Sequence, residues 1–580
     1  MAILAVLALT GVTRLAVAWR AENVAQDAGV LLNFARELPS RPVEAMRAFR
    51  QHPGYPALVL AAARLTGADW PDGWIRVGQV ISAVTAVLAV AAVYFLALAL
   101  PWRNRVAGVP PAPPAGVPPV IRGAALVAAL MLVFSPRYVQ ISSDALSDSL
   151  ALALGLWCLV LGLWARRQDG TFRAAALAAL AGLAGGAAYL TRPEYLLAPV
   201  LSAGVLLWPR AGRRPALLPA VACLAVAAAC AAPYMVAIGG LSLKKTPEDF
   251  SAVNPQLSGV AWPARRLPAP SLGGWPCWPP LRAASAGIGM ATANGAEAMP
   301  PAGGLASLPV ATAWPAATAR VVGKIGEALG PAGAVLAVCA AVALALPPLR
   351  RRAMALSPLP APLGWALMLA PALALAPLLA TLEAAAGRPY VSTRHLLLPA
   401  ATLMPLAGLG LVLLAEAAAV GLARIGRAGL TGLVVVVLLL TIPAGAFSAL
   451  ATPLHADKAT ARVAGLFIRK LGGGGRFVAA SETRSVFFAD APPEQFAEGT
   501  DMPPGITGGD VSSAYALLAR LRRDGPRQYR YLVLDHRRLA DARAAGTLDA
   551  LPAGLLEPLA HFGKDPFGVQ VYSLNWRKQP

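Results

Sequence analysis

From Arg76 to Leu100 the sequence reads RVGQVISAVTAVLAVAAVYFLALAL, and Arg76 is its one charged residue. A helix of roughly 20 apolar residues covers the ~30 Å hydrocarbon core of a bilayer. Stretches of this kind recur near 2–19, 76–100, 121–140, 144–165, 174–190, 195–209, 215–238, 329–348, 362–382, 395–415 and 429–450. In lipid, every backbone N–H and C=O has to find its partner within the segment, so such runs form helices. The prediction is an α-helical polytopic membrane protein with about 11 transmembrane helices. Composition agrees: 57% of the 580 residues are hydrophobic and 14% are charged, against about 25% charged in soluble domains.

The first run, Ala2–Trp19, has almost no positive charge before it and no clear small-residue cleavage site. It reads as a spanning helix rather than a signal peptide. Arg14 within it is costly in lipid, so it faces the protein interior or snorkels to the interface. Of five cysteines, Cys158, Cys223, Cys230 and Cys339 lie in apolar runs and Cys277 in a long loop. That pattern is neither a disulfide framework nor a CxxC metal site.

The formal net charge is +21, yet the excess is arginine in short loops between apolar runs. No basic face with interleaved aromatics offers a nucleic-acid surface. Arg103, Arg105 and Arg122, then Arg166, Arg167 and Arg173, then Arg210, Arg213 and Arg214, then Arg350–Arg352, then Arg424 and Arg427 fall in successive alternate loops. By the positive-inside rule these loops and the N-terminus are cytoplasmic. Residues 20–75, 137–143, 190–195, 239–328, 383–394 and everything after 451 are then outside. The loop VAGVPPAPPAGVPPV reads as a proline-rich cytoplasmic spacer.

From Pro453 the pattern changes. ARVAGLFIRKL and SAYALLARLRR read as helices, and RFVAAS, RYLVLD and FGVQVYSL as strands. Helices alternating with buried strands argue an α/β domain. The expected organisation is a transmembrane domain at 1–452, with external loops 20–75 and 239–328, and a C-terminal extracytoplasmic α/β domain at 453–580. Asp457, Asp535 and His536 form no recognisable catalytic set, so the expected role of the tail is structural or substrate-recruiting.

Five polar clusters fall on the outer side. They are Asp27 in AENVAQDAGVLLNFAREL, Arg50–Pro56 (RQHPGYP), Asp144 and Asp148 in SPRYVQISSDALSDSL, Arg192 and Glu194 in LTRPEYL, and Arg388, Tyr390, Arg394 and His395 in GRPYVSTRHLLLP. Spacing puts Asp144 and Asp148 on one helix face. Any one of these residues is accounted for by a structural ion pair. Five clusters on one side instead build a polar cavity beside lipid, where ionisable groups mark function.

Taken together these motifs resemble the GT-C-fold glycosyltransferases, within them the dolichyl-phosphate-mannose protein mannosyltransferase-like group that includes the bacterial aminoarabinose transferases. QDAGVLLNFAREL keeps the family's first-loop acid as Asp27, with Ala35-Arg36-Glu37, but has Ala28 where the family has a second acid and Leu31 where it has Tyr. HPGYP (His52–Pro56) is similar to its His-Pro-Pro-Leu-Tyr element, ALSDSL supplies its second-loop Asp as Asp148, and TRPE (Thr191–Glu194) matches its Thr-Arg-Pro-Glu element. PYMVAIGGLSLKK resembles its Pro-Tyr loop entry and RHLLLP its Arg-Tyr-Leu-Leu-Pro element.

The resemblance implies an inverting glycosyltransferase. It would move a sugar from a polyprenyl-phosphate donor to a hydroxyl on a lipid, protein or glycan acceptor, at the outer face of a cytoplasmic (inner) membrane. It implies Asp27 as general base. His52, Tyr55, Asp148, Arg192, Glu194, Lys245 and Arg394 are the implied substrate-binding residues, with the cations set against the leaving phosphate. No metal ligand is assigned. With Ala28 in place of the second acid, a divalent cation is the one cofactor the resemblance allows without requiring it. The competing reading is a polytopic transporter or flippase of a lipid-linked or polar substrate. Against it stands the lack of an inverted repeat of interrupted helices.

Overall fold

Small residues let the helices of this chain approach closely, and prolines set where they break. The computed structural model describes residues 1–49, 51–100, 102–103, 119–209, 216–240, 310–345, 359–360, 362–386, 391–423, 447, 450–451, 453–473, 478–480, 483–491, 529–563 and 568–575. Lys245, Arg50, Arg388, Tyr390, Cys277, the proline-rich spacer, the expected span 429–450 apart from 447 and 450, and the helix SAYALLARLRR lie outside the described residues. The chain divides into two units. One is Met1–Ala92 with Tyr138–Val253 and Pro443–Pro580; the other is Val93–Arg137 with Asn254–Ile442.

The helices run α1 (Ala2–Trp19), α2 (Gln26–Glu37), α3 (Pro42–Ala48), α4 (Gly54–Thr66), α5 (Asp72–Ala99), α6 (Pro119–Phe134), α7 (Pro136–Ser142), α8 (Asp148–Arg167), α9 (Thr171–Thr191), α10 (Leu197–Leu207) and α11 (Leu217–Ile238). They continue as α12 (Val310–Leu329), α13 (Pro331–Ala345), α14 (Pro362–Ala386), α15 (Leu397–Ala423), α16 (Ala459–Ile468), α17 (Thr483–Phe488) and α18 (His536–Ala544). Seven helices among the described residues are long and apolar enough to cross a membrane, or up to nine if two bent pairs each count as one span. The chain is a polytopic helical membrane protein, as its apolar runs predict.

The differences from the predicted spans have local causes. The run 121–140 is broken at Ser135–Pro136 into α6 and α7, bent by 63°. Proline removes an N–H and drives the residue before it out of the helical region. Gly330, at φ 77°, and Pro331 separate α12 from α13 in the same way. The run 195–209 is a 3-10 turn (Pro193–Leu196) followed by the short α10. Residues 310–328 fall in the expected loop 239–328 yet belong to α12, which hydropathy does not mark because Arg320, Lys324 and Glu327 interrupt its apolar run. Asp144 and Asp148 do not share a helix face, since α7 ends at Ser142 and α8 starts at Asp148, with a turn between them.

In the first unit, α9 packs on α8, α10 and α11. A Cβ on Gly182 would collide with the carbonyl oxygen of Cys223. One on Gly186 would lie 2.8 Å from that of Ala227, and one on Gly185 would lie 2.8 Å from the Pro199 ring. Ala178, Gly182 and Gly186 are four apart, the small-residue stripe by which membrane helices approach. In the second unit, Gly408 and Gly410 bring α15 against the Ala124 and Leu336 carbonyls of α6 and α13 in the same manner.

Two-residue strands β1 (Trp102–Arg103) and β2 (Leu359–Pro360) pair antiparallel. A four-stranded sheet follows near the C-terminus in the order β3-β4-β6-β5. Strand β3 (Val478–Ala480) is parallel to β4 (Tyr531–Asp535), and β4, β6 (Val569–Leu574) and β5 (Leu556–Phe562) are antiparallel. Strands β3, β4 and β6 are the three the sequence predicts. The edge strand β5 is mostly exposed and carries Pro558 at an irregularity in its register, so it has none of the alternation that marks a strand.

Gly182→Ala is expected to destabilise the detergent-solubilised protein by about 1–3 kcal/mol, because its Cβ meets backbone that cannot yield. Gly204, on the exposed side of α10 with nothing within 4 Å of a Cβ, is the matched control. There alanine should stabilise by about 0.5–1 kcal/mol through helix propensity. Thermal unfolding of both variants checks the pair.

Candidate functional site

The α8–α9 hairpin explains how one acid and one base meet. Helices of 20 and 21 residues, joined by residues 168–170, have nearly equal length. At 1.5 Å per residue the start of α8 and the end of α9 therefore reach the same level. Asp148 lies in the first turn of α8, where the helix dipole favours a carboxylate. Arg192 precedes Pro193 and is held extended at φ −153°, ψ 132°, which ends α9. Its Nη1 donates to Asp148 Oδ1, and its Nε donates to Glu194 Oε1 at 2.6 Å. Asp148 is 1% exposed. Burial alone would lower the Arg192 pKa, and the carboxylates of Asp148 and Glu194 more than reverse this, so the guanidinium stays charged. Arg166 sits in the last turn of α8, at the opposite end, where it caps the α10 carbonyls of Val205 and Trp208 at 2.8 and 2.6 Å.

The HPGYP element joins three helices at the same end. His52, 3% exposed, binds the Tyr189 carbonyl through Nδ1 at 2.7 Å. A carbonyl only accepts, so Nδ1 carries a proton. The ring packs against Tyr189 and Tyr234. A Cβ on Gly54 would lie 2.8 Å from the Leu190 carbonyl oxygen, so glycine lets α4 start directly against the end of α9. Tyr55 is fully buried, and its hydroxyl donates to the Gly78 carbonyl of α5 at 2.9 Å. Burial raises its pKa, so the phenol stays neutral.

Asp144, in the turn before α8 and 2% exposed, is used as an acceptor on both oxygens. Oδ1 accepts the Ala145 N–H at 2.7 Å; Oδ2 accepts the Ala25 N–H at 2.8 Å and Nε2 of His455 at 2.7 Å. Ala25 is the residue before α2, and Asp27 is in the first turn of that helix, half-buried. At the other end of α2, Arg36 Nη1 meets Asp490 Oδ1 at 2.5 Å and lies 4.7 Å from the Trp70 ring centroid. Phe34 stacks on Phe49 with centroids 4.8 Å apart. Arg14 faces the interior: it is fully buried, its Nε donates to Ser142 at 2.7 Å, and it lies over Tyr138.

Of the residues singled out in the sequence, Asp27, His52, Tyr55, Asp148, Arg192 and Glu194 all lie in the first unit. Arg192 touches both Asp148 and Glu194, His52 braces the end of α9 that leads to Arg192, and Tyr55 ties α4 to α5. Arg394 belongs to the second unit, in the 3-10 turn Thr393–Leu396, where Thr393 donates to Glu327 at 2.8 Å. Sequence reasoning missed His455 and the part played by Asp144. His455 directly follows the last apolar run, a place with no motif to mark it. Among the described residues no group of three or more His, Cys, Asp and Glu side chains is arranged to hold a metal ion.

No protein-family profile matches this sequence, and no curated protein matches it in sequence. Solved structures do match in shape. ArnT from Cupriavidus metallidurans superposes with a TM-score of 0.53 at 13% identity, covering 98% of this chain and 97% of that one. The Archaeoglobus fulgidus oligosaccharyltransferase, tethered to an acceptor peptide containing the NVT sequon, superposes with a TM-score of 0.50 at 13% identity, over 100% of this chain and 74% of that one. Both are GT-C glycosyltransferases. The chain has the GT-C fold. At this identity the likeness is one of architecture, and the GT-C expectation of the sequence holds at that level.

Arg192→Met removes the guanidinium between buried Asp148 and part-buried Glu194 and is expected to cost about 3 kcal/mol. Adding Asp148→Asn should recover part of that loss, since the uncompensated charge goes with it. Unfolding midpoints of the single and double variants in one detergent provide the check.

Proposed function

We propose that this protein is an inverting glycosyltransferase that moves a sugar from a polyprenyl-phosphate donor to an acceptor hydroxyl. In this reading it works at the extracytoplasmic face of a cytoplasmic (inner) membrane, with the N-terminus inside. Residues 1–452 form the GT-C-like transmembrane domain and 453–580 an extracytoplasmic α/β domain. The observation that carries the reading is the gathering of Asp27, Asp144, Asp148, Arg192 and His52 around one end of the α8–α9 hairpin, in a chain with the GT-C fold. Arg166 and Arg167, in the last turn of α8, lie at the other end of the hairpin.

The chemistry assigns the roles. Asp27 takes the proton from the acceptor hydroxyl as the oxygen attacks the anomeric carbon. A C–O bond forms on one face of that carbon while the bond to the phosphate oxygen breaks on the other, so the centre inverts. The phosphate leaves with the electron pair as an anion and needs fixed positive charge rather than a proton. Lys245 is proposed to supply it, with His52 adding a donor. Arg192, already engaged by two carboxylates, orients Asp148 and Glu194, which are proposed to bind sugar hydroxyls. Tyr55 contributes by holding α4 on α5. The acceptor is a lipid, protein or glycan hydroxyl. A divalent cation is not needed for any of these steps.

Asp27→Asn keeps the shape and removes the base. In proteoliposomes supplied with labelled polyprenyl-phosphate sugars and a lipid-extract acceptor, the variant is expected to lower kcat by about 10²–10⁴, with donor binding retained. Full activity in a folded Asp27→Asn protein would move the base elsewhere. No binding of any polyprenyl-phosphate sugar by the wild type would overturn the enzyme reading in favour of a transporter.

A further inference from the structure

The segment after the last apolar run is tied to α2 at three places. His455 reaches Asp144, which holds the Ala25 N–H at the start of the helix. Phe487 packs against Gly29 in its first turn, where a Cβ would lie 3.4 Å from the ring. Asp490 binds Arg36 in its last turn and the Trp70 indole N–H at 3.1 Å. His455 and Asp490, both at φ 56°, are the two non-glycine residues with positive φ among the described residues. Left-handed backbone at residues other than glycine persists where the surroundings demand it. Here both outliers take part in these ties, Asp490 directly at Arg36 and His455 through Asp144.

We infer that His455 and Asp490 are positioning residues of the catalytic centre, in which His455 through Asp144 and Asp490 through Arg36 fix the two ends of α2 and so the place of Asp27. The inference rests on the reading of Asp27 as base. Neither residue is assigned contact with substrate. The geometry gives His455 a defined form: both Asp144 oxygens act as acceptors, so Nε2 of His455 carries the proton it donates. The tail is then a part of the reaction centre, not only a module that recruits substrate.

The test uses the full-length chain in proteoliposomes and the variants His455→Gly, His455→Gln and Asp490→Gly. Glycine accepts a φ of 56° without strain, so these changes delete the side chain while favouring the native backbone. Two readouts are needed, amide hydrogen exchange over residues 25–37 and transfer kinetics. The expected result is faster exchange in α2 with the α8–α9 hairpin unchanged, and kcat lowered by about tenfold to a hundredfold, the scale set by small misplacements of a reacting group. KM for the donor should stay at the wild-type value. Gln at 455 keeps a donor at the reach of Nε2 and should restore most of kcat. The double variant Asp144→Asn/His455→Gly should be little worse than either single change, because the pair acts as a unit.

Unchanged exchange in α2 would overturn the inference whatever the activity. Faster exchange with kcat intact would overturn it too, since the helix would be held without consequence. Faster exchange in the variants, with a wild type that transfers no sugar from any donor, would keep the clamp and sink the glycosyltransferase reading. Should His455→Gly not fold, Asp490→Gly puts the same question at the other end of the helix.

Discussion

The polar end of this protein depends on one buried ion pair. Asp148 is almost without solvent, and a carboxylate in such a place is stable only when paired and hydrogen-bonded. Arg192 is its partner, and Arg192 is delivered by the end of α9. That end is in place because α9 lies close against α8, α10 and α11 through Gly182, Gly185 and Gly186. The glycines, the pre-proline geometry at Arg192 and the equal lengths of two helices converge on one contact. His52 and Gly54 then use the same helix end as a platform, which brings in α4, and Tyr55 carries the connection on to α5.

The spans were legible because lipid imposes a length and forbids unpaired backbone. Their breaks were less so. Ser135–Pro136 and Gly330–Pro331 sit in apolar surroundings, and hydropathy averages over the punctuation that proline and glycine supply. Helix α12 stayed hidden since Arg320, Lys324 and Glu327 lower its hydropathy, although Lys324 and Glu327 pair with one another at 2.7 Å. Residues 20–75, which hydropathy marks as a loop, are folded into α2, α3, α4 and the start of α5.

The site was legible as types of residue and not as pairs. TRPE and ALSDSL were each visible, and chemistry suggested that cations and acids would gather; that Arg192 would engage Asp148 and Glu194 together needed the hairpin. The Asp144–His455 contact joins positions 311 apart, and Arg36–Asp490 joins positions 454 apart. No spacing rule reaches across such intervals. Periodicity also misled at Asp144, which sits in a turn and not on the helix that Asp148 begins. The turn frees Asp144 to face α2, which a place on the first turn of α8 would not do.

Helix α2 carries the proposed base, and nothing local is sufficient to hold it. It has 12 residues and no side-chain cap at its N-terminus. An isolated helix of that length is marginal in water. Its order therefore comes from what it touches: Asp144 at Ala25, the Phe34–Phe49 stack, Phe487 at Gly29 and Asp490 at Arg36. An acid placed on a helix that is stable in itself would be positioned by its own neighbours in sequence. An acid on α2 is positioned in part by elements more than a hundred residues away, and its geometry can be altered without touching it.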